Sequence, residues 1–122
     1  MKPKINSTSF GSITIGGKTF NHDILIRLNR QVEKRRKKLS KKLYGTSHKI
    51  SLEEAKYIYE KGAEKLIMGG TGQTGYVELS KKAEKYFRKK DCKVKLLPTP
   101  PKAIKIWNKS KGRVIAMFHV TC

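Results

Sequence analysis

At 122 residues and 37% apolar content, the chain is long enough for one core that buries roughly two-thirds of its unfolded surface. No run approaches the ~18–20 apolar residues of a membrane span, and the opening MKPKINSTSFG lacks a signal-peptide centre, so a cytosolic protein with no membrane partner is expected. Lys and Arg number 29 against 9 acidic residues, a net +20 that attracts polyanions, while two cysteines, Cys92 and Cys122, exclude a disulfide framework and lack metal-type spacing.

Residues 8–15 and 18–28 are β-rich stretches around Gly16-Gly17, a pair suited to a tight hairpin turn. From Arg27 to Lys42 the chain carries nine cations opposed only by Glu33. The apolar positions there, Val32, Leu39 and Leu43, are too sparse for a core-facing helix. The segment therefore reads as a turn at Asn29-Arg30, a short strand and a solvated basic loop.

Ser51 with Glu54 has the spacing of a capping box, in which the hydroxyl caps an N–H and the carboxylate reaches back. Leu52, Ala55, Ile58 and Tyr59 follow at helical spacing, with Gly62 placed to stop the helix. A buried strand over Lys65–Met68 leads into a glycine-rich loop. A second helix from Ser80 buries Ala83, Tyr86 and Phe87 and ends in Arg88, Lys89 and Lys90, where cations complement the helix dipole. Lys93–Leu97 reads as a strand. Thr99-Pro100 opens a third helix that turns Ala103, Ile104 and Trp107 inward and stops at Gly112. Val114–Phe118 is a continuous apolar run, the mark of a strand buried on both faces.

Helices alternating with buried strands predict an α/β fold: a three-layer sandwich with a central mixed β-sheet, helices on its faces and an additional N-terminal β-hairpin. One domain over 1–122 is expected, with the hairpin region at 8–28, the basic segment at 27–49 and the α/β core at 51–122.

Gly70-Thr71-Gly72-Gln73-Thr74-Gly75 matches the dinucleotide fingerprint in letters, but its context does not. The glycines should open directly into a helix, and Tyr76-Val77-Glu78-Leu79 intervene before Ser80. No Lys-Ser or Lys-Thr pair closes a phosphate loop. The motif reads as a turn at the carboxyl end of a strand, the edge at which open α/β sheets bind ligands. His119 and Thr121 share one face of the terminal strand and Cys122 the other, which separates the imidazole from the thiol. His48 lies in a Gly-Thr-Ser-His loop. If His48, His119, Thr121 and the loop residues Gly70, Thr71, Gly72, Gln73 and Gly75 converge, they make a ligand pocket.

Phe10-Gly11, Ile13-Thr14-Ile15, Lys18, Phe20, Asp23 and Ile24 begin an ordered series of residues. It continues through Arg35-Arg36-Lys37-Lys38, Gly45-Thr46-Ser47-His48, Gly70-Thr71-Gly72-Gln73, Gly75, Pro98-Thr99-Pro100, Ala103, Asn108, His119, Thr121 and Cys122. This series resembles a small domain family of unknown function. Its members are archaeal and bacterial hypothetical proteins, a mammalian adipogenesis-associated protein and a mitochondrial complex I assembly factor. The middle motifs look like the archaeal branch. The resemblance implies a three-layer fold with a mixed sheet and no enzyme class, and its eukaryotic members look like assembly or regulatory partners.

No nucleophile, base and orienting group can be assembled from the sequence, so no catalytic residue, metal or cofactor is expected. The leading expectation is a binding or assembly module with a protein partner and a pocket near the glycine loop. One alternative is a ligand-binding or catalytic pocket using His48 and His119. Another is non-specific binding of nucleic acid or another polyanion through Arg35, Arg36, Lys37, Lys38, Lys41 and Lys42.

Overall fold

The computed structural model describes residues 3–9, 11–46, 48–70, 77–97 and 100–120. Three short strands, β1 (Ile5–Ser9), β2 (Ser12–Ile15) and β3 (Lys18–Phe20), form an antiparallel sheet. Gly16 and Gly17 make the turn between β2 and β3 with φ of 56° and 84°, the left-handed pair that a two-residue hairpin demands. The strand expected over 8–15 is broken into β1 and β2. The stretch over 18–28 is also divided, because β4 (Ile24–Ile26) leaves the hairpin and joins a different sheet.

That second sheet is the centre of the fold. It orders β5 (Val32–Lys34), β4, β10 (Val114–His119), β7 (Lys65–Gly70) and β9 (Lys93–Leu97) side by side. β10 runs antiparallel to β4 and parallel to β7, and β7 runs parallel to β9, so the sheet is mixed as the sequence predicts. Every residue of β10 is buried, as its unbroken apolar run requires.

Alternation along these strands separates two cores. Leu25, Leu66, Met68, Ile115 and Met117 face one side, where they pack under α2 (Leu52–Ile58) and α3 (Lys81–Lys89). Ile24, Ile26, Ile67, Ala116 and Phe118 face the other, under α4 (Pro100–Lys109) and the apolar side of the small sheet. The helix positions follow from chirality. The chain moves outward from β7 to β9 through α3 and returns from β9 past β7 to β10 through α4. Keeping one hand of crossover while reversing direction places the two helices on opposite faces, as observed.

Polar side chains of α4 tie the N-terminal segment to this layer. Asn108 accepts from the Ile5 N–H at 3.0 Å and donates to the Ile5 carbonyl at 3.1 Å, so the amide pairs with β1 as a neighbouring strand would. The buried Trp107 indole donates to the Pro3 carbonyl at 2.9 Å.

Further elements depart from expectation. The basic loop contains a helix, α1 (Lys38–Tyr44), in which Leu43 is 65% exposed and the buried residue is Ser40. A polar anchor holds this helix, so no apolar stripe announces it. A two-residue parallel pair, β6 (Lys49–Ile50) with β8 (Glu78–Leu79), is too short to leave a pattern. Finally, α2 ends at Ile58, and Gly62 lies beyond it in the following turn. The Thr99 cap expected for α4 lies outside the described residues. Among the described residues no helix is long and apolar enough to cross a membrane.

Close packing of α4 on the sheet depends on Gly69. A Cβ there would lie 2.8 Å from both the Ala103 Cβ and the Phe118 ring. Gly69→Ala should therefore cost about 1–3 kcal/mol through overpacking, read as a lower urea midpoint with unchanged slope.

Candidate functional site

Sheet register brings four positions abreast. His119 stands opposite Gly70 across the β10–β7 pair. Phe118 pairs with Ile24 and Ile24 with Lys34, so one step further along His119, Asp23 and Arg35 form a row across three neighbouring strands. The Arg35 N–H donates to the Asp23 carbonyl at 3.0 Å, which closes that row. Residues directly opposed in a sheet face the same side, here the side covered by α2.

The row is charged, and it is buried. Asp23 Oδ2 accepts from the His119 Nδ1–H at 2.7 Å and from Arg35 Nη1 at 2.8 Å, while Oδ1 accepts from the Val120 N–H at 2.6 Å. Arg35 grips Glu54 of α2 with a two-point fork, Nε to Oε2 at 2.6 Å and Nη2 to Oε1 at 3.1 Å. Side-chain exposure is 0% for Arg35 and Glu54 and 1% for Asp23, so each charge depends on its partners. Burial works to lower the Arg35 pKa, but the carboxylates of Glu54 and Asp23 outweigh it and leave the guanidinium raised. Lys37 Nζ lies 3.6 Å from Asp23 at the edge of the cluster.

Serines extend the network into α1. The Ser51 hydroxyl caps α2 by accepting from the Glu54 N–H at 3.1 Å and donates to the Leu39 carbonyl at 2.8 Å. The Ser51 N–H, which a capping box would give to Glu54, goes to Ser40 Oγ at 2.9 Å. Ser40 in turn donates to Glu54. The expected box is therefore half formed: the hydroxyl caps, and the carboxylate is committed to Arg35.

His48 completes the site. Its ring meets the His119 ring edge to face, with centroids 4.9 Å apart. The carboxylate at Nδ1 favours the His119 tautomer with its lone pair on Nε2. His48 is held below the ordinary histidine pKa by burial, then by His119 and Arg35, with Asp23 opposing. The site thus joins a neutral imidazole to a carboxylate-oriented one, a combination suited to hydrogen-bonding a polar ligand or moving a proton.

Of the expected pocket residues, the structure brings together His48, His119 and Gly70; Thr71, Gly72, Gln73, Gly75 and Thr121 lie outside the described residues. Among the six expected polyanion contacts Arg35 requires correction. It is buried between two carboxylates and offers no surface charge. Arg36 lies over the Tyr57 ring at 4.6 Å. Lys38, Lys41 and Lys42 are exposed on α1 at spacings that share one face. A cleft of about 630 Å³ opens beside them, lined by Lys34, Arg36, Lys37, Lys38 and Lys41 with Asp23 and Arg35. Cys92 is buried, which pushes its thiol up to about 11.

Sequence reasoning missed the roles of Asp23 and Glu54. Both left a signal: Asp23 opens an apolar strand, and Glu54 falls in the series Ser51, Glu54, Ala55, Ile58 that defines the inner face of α2.

A mixed five-stranded sheet with helices on both faces, a small antiparallel sheet beside α4 and a buried Asp–Arg–Glu–His cluster at one end define a class of small α/β domain. The family described as protein of unknown function (DUF498/DUF598) matches residues 5–119, and the chain belongs to it. It is similar to the conserved hypothetical protein PH1505 from Pyrococcus horikoshii, at 33% identity and a TM-score of 0.83, over 98% of this chain and 99% of that one. A second solved structure, MT938, shares 34% identity over 99% of this chain and all of its own length, with a TM-score of 0.77. A protein from Bordetella parapertussis, at 15% identity and a TM-score of 0.73 over 98% of this chain and 96% of its own, shares the fold. No curated protein matches the chain.

Two measurements probe the row. Arg35→Ala should lose about 3–5 kcal/mol by stranding buried carboxylates, and Arg35→Met with Glu54→Gln should lose clearly less than the sum of the single changes in a urea double-mutant cycle. For His48 the folded pKa is depressed, so its contribution is present above the unfolded value of about 6.5 and is lost as pH falls through the folded value. Imidazole NMR should place the His48 midpoint below about 6.5, and His48→Asn should flatten the acid-side slope of stability against pH.

Proposed function

We propose that the protein is a binding module whose ligand, a small anion such as a phosphate or carboxylate, docks at the carboxyl ends of β7 and β10. The observation that carries this reading is the contact between His48 and His119 beside Gly70, with Asp23 orienting the inner imidazole. Stability alone does not call for such an arrangement, because well-packed apolar groups commonly replace buried ion pairs at no cost. An imidazole pair at the ligand-binding edge of an α/β sheet instead supports recognition. The neighbouring cleft adds Lys34, Arg36, Lys37, Lys38 and Lys41, which favour negative charge. Assembly with a protein partner is compatible with the same site if the partner presents an acidic group there.

The test is a titration of the protein with inorganic phosphate and, separately, acetate, followed in ¹H–¹⁵N spectra of the imidazoles. Both His48 and His119 signals should shift and saturate, with affinity rising as pH falls and His48 gains its proton. His48→Ala should weaken binding by about tenfold or more, the worth of one hydrogen bond to a charged group, without changing the fold. Imidazole signals that stay fixed at millimolar anion would remove this reading.

A further inference from the structure

The net charge of +20 is not concentrated where the sequence suggests. Within the basic segment, Arg35 is neutralised internally, Arg27 pairs with Glu33 at 3.0 Å, and Lys37 reaches toward Asp23. The opposite end of the central sheet, where β10 begins and α4 ends, carries a second concentration of cations. One cleft there, of about 500 Å³, is lined by Arg30, Lys61, Lys111 and Arg113, together with Arg27, which is already paired to Glu33. A second, of about 620 Å³, is lined by Lys65, Lys102, Lys105 and Lys109. They share Ser110 and Lys111, so the two are one continuous surface, and neither is lined by a carboxylate.

The carboxylates that border this surface are already engaged. Glu60 accepts from the Leu28 N–H at 2.9 Å and Glu64 from the Arg113 N–H at 3.2 Å. By contrast, the exposed lysines of α3 are interrupted by Glu84, which pairs with Arg88 at 2.6 Å, and the cleft beside that helix includes Glu84 and Asp91. Clustering like charges costs a fold stability through self-repulsion, so a cluster whose cations outnumber the bordering carboxylates this heavily points to a partner that supplies the counter-charge.

We propose that this surface, formed by the outer face of α4 with the loops preceding β7 and β10, binds the phosphate backbone of nucleic acid without reading its sequence. Lys102, Lys105 and Lys109 recur at three- and four-residue intervals and so lie along one side of the helix, spanning about 10 Å. Phosphates on one strand of a duplex recur about every 3.4 Å of axis, so the lysine row matches about three of them. Lysine supplies point charges suited to phosphate, whereas base-edge reading favours the planar fork of arginine. Trp107, the aromatic residue lining the surface, is fully buried and offers no stacking platform, which favours backbone contact over single-strand base recognition. This surface is distinct from the histidine site, and either can fail without the other.

Fluorescence anisotropy with a labelled 20-base-pair duplex, from 50 to 300 mM salt, tests the assignment. Four to six engaged phosphates give a slope of log K against log salt of roughly −3.5 to −5.5. Lys102→Ala/Lys105→Ala/Lys109→Ala should reduce the magnitude of that slope by about 2 to 3. Alanine favours the helix at those exposed positions, and circular dichroism should confirm the fold. Arg30→Ala/Lys61→Ala/Lys111→Ala reads the other half of the surface and should act in the same direction. Removing the same number of charges in Lys81→Ala/Lys82→Ala/Lys85→Ala should move the slope by less than about 1. Absence of binding at 50 mM salt, an equal loss in this control variant, or polyglutamate binding as tight as the duplex would each overturn the proposal.

Discussion

The Arg35 guanidinium is the fixed point on which the His119 end of the central sheet depends. Its three nitrogens donate to two carboxylates from different layers: Asp23, at the start of β4, and Glu54, inside α2. One planar group therefore fixes the distance from sheet to helix and the end of the β4–β5 ladder. Because Asp23 also receives His119 and the Val120 N–H, the same group sets where β10 stops and how the imidazole above it is turned. The apolar row immediately inward, where Met117 pairs with Leu25, seals this cluster from below.

Such a cluster gives up stability for definition. Apolar packing alone would hold α2 against the sheet, but with latitude in its position along the strands. A two-point fork allows one arrangement. The same cluster holds the His119 ring in one orientation beside His48.

Much of the architecture was legible because it is written in apolar periodicity. Val114–Phe118 reads as a strand buried on both faces, Lys93–Leu97 has the bounds observed, and Ser80 caps α3 as its position predicts. Periodicity also explains the misses. α1 is held through Ser40, a residue that hydropathy counts as solvent-facing, and β6 and β8 are shorter than any repeat. The site was legible only at its rim. His48, His119 and Gly70 stood out by residue type, whereas Arg35 disappeared into a run of nine cations because the carboxylates that bury it lie 12 residues before it and 19 after. Charge runs record composition, and pairing across the fold decides which of their members meet water.

The strand order has a consequence for how the chain comes to be folded. β10 occupies the middle of the sheet yet is the last described strand in sequence, bonded on one side to β4 and on the other to β7. As the chain emerges from the ribosome, the β4–β5 and β7–β9 pairs therefore wait with open inner edges until residues beyond 113 appear. Contacts between positions 23 and 119 close a long loop, so this topology folds slowly relative to a helical bundle of the same size. The lysines of β9, and the charge spread over the rest of the chain, keep those incomplete sheets apart through mutual repulsion while the central strand is still to be added.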